Sequence, residues 1–134
     1  MYLIDTNIWL ERLLDQERSE EVGLFLEKTP SEFLFITDFA LHSIGVVLKR
    51  LDRFPVFLRF VQDIFLDGSV GLLRLEPEDM NTLALVMEKF GLDFDDSYQY
   101  VAAQKNKLMI LSFDSDFDQT ELGKKRPGEI KLTI

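Results

Sequence analysis

The residues best suited to chemistry in this chain are aspartates placed at the edges of apolar runs. Asp5 directly follows Tyr2-Leu3-Ile4. Asp95 and Asp96 stand before Ser97-Tyr98-Gln99-Tyr100-Val101-Ala102-Ala103. Asp114, Asp116 and Asp118 follow the apolar run Leu108 to Phe113. A carboxylate is expensive to take out of water unless something pairs with it. At such positions the partner is a helix N-terminus, a cationic side chain or a metal ion, and the three lead to different proteins. Asp5 illustrates the choice: Asp is a favoured N-cap, yet the end of a first strand is also where open α/β sheets place their ligands.

Other chemistries fit less well. The single histidine, His42, has no evident nucleophile arrangement around it, which leaves no Ser-His-Asp set. The absence of cysteine removes thiolate metal sites, a Cys nucleophile and any disulfide framework, in keeping with a reducing compartment. A calcium loop of the EF-hand type counted from Asp114 would need Gly at its sixth position and Glu at its twelfth. Those positions hold Gln119 and Lys125. An aspartyl-phosphate enzyme also uses Asp-x-Asp after a strand, but Asp118 stands where such enzymes usually carry Thr or Val, and the motif comes late in the chain.

The elements that must position these acids can be read from periodicity. Tyr2 to Ile4 is a short strand, and Ile8 to Leu14 has helical spacing. Glu20 to Glu27 reads as a second helix, ended at Thr29-Pro30-Ser31 because proline breaks the ladder. Phe33 to Ile36 is a candidate central strand. Thr37-Asp38 opens a helix to about Leu51, with Ala40, Leu41, Ile44, Val47, Leu48 and Leu51 on one face. His42 lies on the opposite face, one turn from Asp38 and in reach of a local pair. Val56 to Leu66 is apolar almost all round, so it is expected to be buried on more than one side or to form a subunit contact. Lys49, Arg50, Arg53 and Arg59 make a basic cluster suited to phosphates, with ordinary surface the plainer reading.

Val70 to Leu75 is a further strand. Glu76-Pro77-Glu78-Asp79 starts a helix that runs to about Phe90 and stops at Gly91. The next helix opens on Asp95-Asp96 and continues to about Lys105, with Ala102 and Ala103 small enough for close packing on a sheet. Leu108 to Phe113 is a strand, Gly123 to Gly128 a basic loop, and Ile130 to Ile134 alternates as an edge strand. Strands alternating with helices imply a parallel sheet covered on both faces, with right-handed crossovers. Residues after strand ends and at the starts of following helices then share one edge. Asp5, Asp96 and Asp114 gather there. Without a cation they repel, and at least one must hold a proton. With an oxygen-coordinated Mg²⁺ or Mn²⁺ the cluster is stabilised and the ion can activate water and neutralise a phosphodiester.

Composition sets the outer limits. The length suits one domain over residues 1–134. No apolar run is long enough to span a bilayer, and the N-terminus lacks the basic region of a signal peptide, so a soluble cytoplasmic protein is expected. The net charge of −9 has the wrong sign for a broad basic nucleic-acid surface. It suits a basic partner or a site where cations offset clustered acids.

Asp5-Thr6-Asn7 after an N-terminal strand, Asp95-Asp96 followed by Ala102-Ala103, and Ser112-Phe113-Asp114-Ser115-Asp116-Phe117 together resemble the PIN domain, closest to the VapC-type toxins of toxin–antitoxin pairs. The resemblance covers essentially the whole chain. It implies a three-layer α/β/α sandwich with a central, mostly parallel sheet, and an endoribonuclease dependent on Mg²⁺ or Mn²⁺. It also implies a homodimer and a cognate antitoxin that blocks the acidic site. By position, Asp5, Asp96 and Asp114 would be the catalytic, metal-binding acids, Asp116 an auxiliary acid, and Asn7 and Ser112 supporting hydrogen-bond groups. One departure stands out. The family's usual glutamate in the helix after the second strand falls on Ser43, or on His42 if the register slips by one, with Asp38 a turn earlier as a substitute. This departure supports a second reading, a PIN-like domain that binds RNA or protein and cleaves weakly or not at all.

Overall fold

The computed structural model describes residues 1–130. Within them four short strands form one parallel sheet: β1 (Tyr2–Ile4), β2 (Leu34–Thr37), β3 (Gly71–Leu73) and β4 (Met109–Leu111), in the order β3-β2-β1-β4. Six α-helices connect and cover them: α1 (Thr6–Leu13), α2 (Ser19–Lys28), α3 (Asp38–Arg50), α4 (Phe54–Val61), α5 (Met80–Phe90) and α6 (Phe94–Asn106).

Side-chain alternation along the strands divides the core into two layers. Ile4, Leu34, Ile36 and Leu111 face Ile8 and Trp9 of α1, Val22 and Phe25 of α2, and Ala40, Ile44 and Leu48 of α3. Leu3, Phe35, Leu73 and Ile110 face Leu83 and Val86 of α5 and Tyr100 to Ala103 of α6. A strand buried on both sides must be apolar at successive positions, which is why the strands read as continuous runs. Ala102 and Ala103 are fully buried, as close packing on the sheet requires. The result is the expected three-layer α/β/α arrangement.

Two glycines are dictated by geometry. Gly91 ends α5 at φ +65°, a left-handed cap that costs other residues more. Gly71 pairs with Phe35 at the β2–β3 seam, and a Cβ there would come within 2.5 Å of the Phe35 ring.

Several expectations are corrected. Phe33 lies in a 3₁₀ turn (Ser31–Phe33) and β2 begins at Leu34. The strands expected over Val70 to Leu75 and Leu108 to Phe113 shorten to three residues each. The segment Val56 to Leu66 splits between α4 and a π-helical turn, Gln62–Leu66, and is not buried on several sides. Phe60 alone is buried, while Leu58 is 58% and Leu66 70% exposed. The reason is position: α4 lies outside α1 and α3, seated through Phe60 on Trp9 and Phe57 over Gly45, so only one stripe meets the core. The expected edge strand at Ile130 to Ile134 lies outside the described residues except for Ile130, which is not in a strand. Among the described residues no helix is long and apolar enough to cross a membrane.

Strand order now explains where a site must form. From β1 the chain steps outward to β2 and β3, then returns to the other side of β1 to place β4. The crevice beyond the carboxyl ends of β1 and β4 is therefore the topological switch point, where parallel sheets bind ligands.

Candidate functional site

Asp5 enters this crevice from β1. Its backbone N–H donates to Leu111 O of β4 at 2.9 Å, which fixes the corner before any side chain acts. Its carboxylate is buried and surrounded by donors. Oδ1 accepts from the Thr6 N–H at 2.8 Å and Gln99 Nε2 at 3.1 Å. Oδ2 accepts from Ser112 Oγ at 2.7 Å and from Asn7 Nδ2 at 3.4 Å. Burial pushes the Asp5 carboxyl above its ordinary range. The hydrogen bonds from Gln99, Ser112 and Thr6 act in the other direction.

The neighbours of Asp5 carry the network outward. Asn7 Nδ2 donates to Ser112 Oγ at 3.1 Å, and Asn7 Oδ1 accepts from the Phe113 N–H at 3.1 Å. Ser112 Oγ also accepts from the Asp114 N–H at 2.9 Å. Thr37, at the end of β2, donates to Gln99 Oε1 at 2.6 Å and caps α3 by accepting from the Ala40 N–H at 3.0 Å. The ends of three adjacent strands and the start of α6 are thus tied together through Asp5 and Gln99.

Asp96 and Asp114 approach from the other side. Asp93, not Asp96, is the N-cap of α6: its side chain accepts from the Asp96 N–H at 2.9 Å. Asp95 and Asp96 therefore sit in the first turn, and the half-buried Asp96 carboxylate is free to face the crevice. Asp114 caps the 3₁₀ turn Ser115–Gln119 by accepting from the Asp116 N–H at 2.8 Å. Carboxylate oxygens of Asp96, Asp114 and Asp116 all lie within 4.8 Å of one another. The Asp96 carboxyl is pushed up to about 8, first by burial and then by the charges of Asp114, Asp93 and Asp5.

A cavity of about 250 Å³ opens between these groups. It is lined by Asp5, Asp95, Asp96 and Asp114, by Thr6, Asn7, Ser43 and Gln99, and by Leu10 and Phe39. Four carboxylates and no cationic side chain form its wall. The structure thus brings Asp5, Asp96, Asp114 and Asn7 to one cavity, with Ser112 behind Asp5 and Asp116 beside Asp114. Asp5 stands apart in one respect: its four acceptor positions are matched by four protein donors, and it is not among the three acids whose oxygens cluster.

The helix register is also resolved. Ser43 lines the carboxylate cavity, whereas the exposed His42 lines a different one with Asp38, Lys49, Phe54 and Phe57. Asp38 does not replace the missing acid. Its Oδ1 accepts from the Phe39 N–H and from Tyr98 Oη, both at 2.8 Å, and among the described residues it makes no pair with the exposed His42. Gln99 was not foreseen as a site residue. The signal for it is a polar side chain three residues after Asp96, on the helix face that carries the buried Ala102 and Ala103.

A divalent ion suits this arrangement. The donors are hard oxygens, which favour Mg²⁺ or Mn²⁺. Burial first, and then the like charges of Asp114, Asp93 and Asp5, raise the Asp96 carboxyl, and a cation would offset both.

The PIN domain family model matches residues 2–122. The chain belongs to the PIN domain family. The PIN domain here superposes on solved structures with sequence identity too low to carry more than the fold. VapC20 from Mycobacterium tuberculosis, a sarcin–ricin loop cleaving toxin, matches at 15% identity and TM-score 0.80, over 95% of this chain and 100% of that one. FitAcB from Neisseria gonorrhoeae matches at 19% identity and TM-score 0.76, over 97% and 100%. A toxin–antitoxin complex from Klebsiella pneumoniae matches at 18% identity and TM-score 0.76, over 97% and 100%. No curated protein sequence matches the chain.

Proposed function

We propose that this PIN domain is a divalent-metal-dependent endoribonuclease that hydrolyses RNA phosphodiester bonds, and that it is the toxin of a type II toxin–antitoxin pair. The observation that carries the reading is the cavity wall of four carboxylates with no cationic side chain among its lining residues. Family membership supports a nuclease, and the toxin folds among its structural neighbours support the toxin role. Asp96, Asp114 and Asp116 would hold Mg²⁺ or Mn²⁺, with Asp5 adjoining. When bound, the ion supplies charge neutralisation at the phosphate and a coordinated water of lowered pKa.

The chain's own residues prepare that chemistry. Ser112 and Asn7 hold the Asp5 carboxylate in one orientation. Gln99 locks the start of α6, and with it Asp96, to the ends of β1 and β2. Leu10 and Phe39 narrow the cavity with apolar surface, which strengthens electrostatic interactions inside it. A protein partner is consistent with the exposed Leu51, Phe54, Leu58 and Leu66 on and beside α4. That surface, together with the toxin–antitoxin complex among the structural neighbours, is the basis for proposing an antitoxin and a homodimer.

A second reading, RNA binding with little cleavage, is favoured by Ser43, which stands in the cavity where the family's glutamate is expected. Cleavage of a generic single-stranded RNA in Mn²⁺ and in EDTA separates the two. The nuclease reading expects Mn²⁺-dependent scission. Binding without scission in either condition would leave the second reading standing.

A further inference from the structure

The sequence after β4 places Phe113 against two arginines, Arg18 just before α2 and Arg126 in the loop that α2 holds. The Arg18 guanidinium carbon lies 4.8 Å from the ring centroid and that of Arg126 lies 5.3 Å away. Both distances are within the range of a cation–π contact. Phe113 is itself fixed to the cavity wall, because its N–H donates to Asn7 and it directly precedes Asp114.

The backbones that carry both arginines are pinned. The Arg18 N–H donates to Glu11 Oε1 at 2.7 Å. The loop of Arg126 is bridged to β4 on its inner side, Lys125 N–H to Ile110 O at 2.9 Å and Ser112 N–H to Lys125 O at 3.0 Å. On its outer side the Gly128 N–H donates to Glu21 Oε2 at 2.8 Å, and Pro127 is buried. Glu11 and Glu129 accept from the backbone N–H groups of Arg18 and Arg126. Neither guanidinium forms an ion pair among the described residues.

Two like charges held around one ring repel each other, and in a chain of net charge −9 carboxylate partners are plentiful. A placement that brings the two cations together, without pairing them, fits a polyanion that engages both. Guanidinium donors match phosphate oxygens in a planar fork while the cation stacks on the aromatic face. We propose that Arg18, Phe113 and Arg126 form a phosphate clamp for single-stranded RNA, holding the backbone of the strand whose scissile phosphate enters the carboxylate cavity. The identity of the polyanion rests on the ribonuclease reading; the clamp geometry does not. The arginines are positioning residues, and the local positive charge offers an anionic strand an approach to an otherwise acidic mouth.

The test is binding of a short fluorescein-labelled oligouridylate by fluorescence anisotropy in EDTA, across a salt series, with the full chain. The double variant Arg18→Gln/Arg126→Gln is expected to weaken binding roughly tenfold and to reduce the slope of log affinity against log salt by about 1.4, at about 0.7 for each phosphate contact on a single strand. In Mn²⁺ the same variant raises KM and leaves kcat largely unchanged. Arg18→Lys/Arg126→Lys, which keeps the charge, retains the slope and guards against a folding defect. Unchanged affinity and slope overturn the clamp, as does an oligouridylate that the wild type does not bind. Poly-glutamate competing better than polyuridylate also overturns it, in favour of a protein ligand. Mn²⁺-dependent cleavage with unchanged KM in the glutamine variant defeats the clamp alone. A reduced slope in a chain that never cleaves defeats the ribonuclease reading alone.

Discussion

Asp5 and Asp96 face the same cavity from opposite sides, and they are held in opposite ways. Asp5 is buried among four donors from Thr6, Asn7, Gln99 and Ser112, whose hydrogen bonds work against the burial that raises its carboxyl. Asp96 is half-buried and faces Asp114, Asp93 and Asp5, so its charge is opposed. The acids at this sheet edge are therefore not equivalent. One corner is satisfied by folding alone and serves as the joint between β1, β2, β4 and α6. The other is left in electrostatic debt by folding, and only a proton or a cation relieves it.

The largest expected effect breaks the unsatisfied side. Asp96→Asn should reduce Mn²⁺-dependent RNA cleavage by more than the roughly 10- to 100-fold typical of changing an outer-shell partner, while melting at a temperature close to the wild type. Gln99→Ala, which removes such a partner, should fall within that range and also lower the melting temperature. Asp5→Ala acts on folding: it strands several buried donors, and a cost of about 3 kcal/mol follows. That corresponds to a drop of roughly 10 °C in a protein of this size, read by thermal denaturation in EDTA.

A smaller effect concerns pH. The folded Asp96 holds its proton to about 8, against 3.8 for an ordinary aspartate. Between those values the folded state binds more protons than the unfolded one, so stability falls as pH rises. The contribution is fully present below pH 3.8 and lost above about 8. In EDTA the wild type should therefore lose more stability between pH 6 and pH 9 than Asp96→Asn does, and saturating Mn²⁺ should flatten the difference. The smallest effect sharpens the contrast: Ser43→Glu adds a fifth acid to the wall and should raise Mn²⁺ affinity a few fold. No change would remove Ser43 from the ion's surroundings.

Much of this was legible in the residues. Apolar runs ending in Asp5 and Asp114, alternating with helical patterns, are enough to define a parallel sheet and the edge where its acids meet. Less legible was the role of each acid. Nothing local distinguishes Asp93 from Asp96 as the cap of α6, because both precede the same apolar face; the choice depends on backbone geometry at Asp93. Gln99 escaped notice because its partners, Thr37 and Asp5, are 62 and 94 residues away. The apolar segment beginning at α4 reads as buried on several sides because hydrophobicity reports a tendency to be covered, not what does the covering. There the outer stripe, with Leu58 and Leu66, is left exposed.

The proposed nuclease needs the Asp96–Asp114–Asp116 corner to bind a divalent cation. Titration calorimetry of Mn²⁺ into the wild type and into Asp96→Asn, at a pH above 8, tests it most directly. A saturable site is expected in the wild type, with an affinity that falls at least about tenfold in the variant. Equal affinity in the two proteins, or no binding to the wild type, would contradict it.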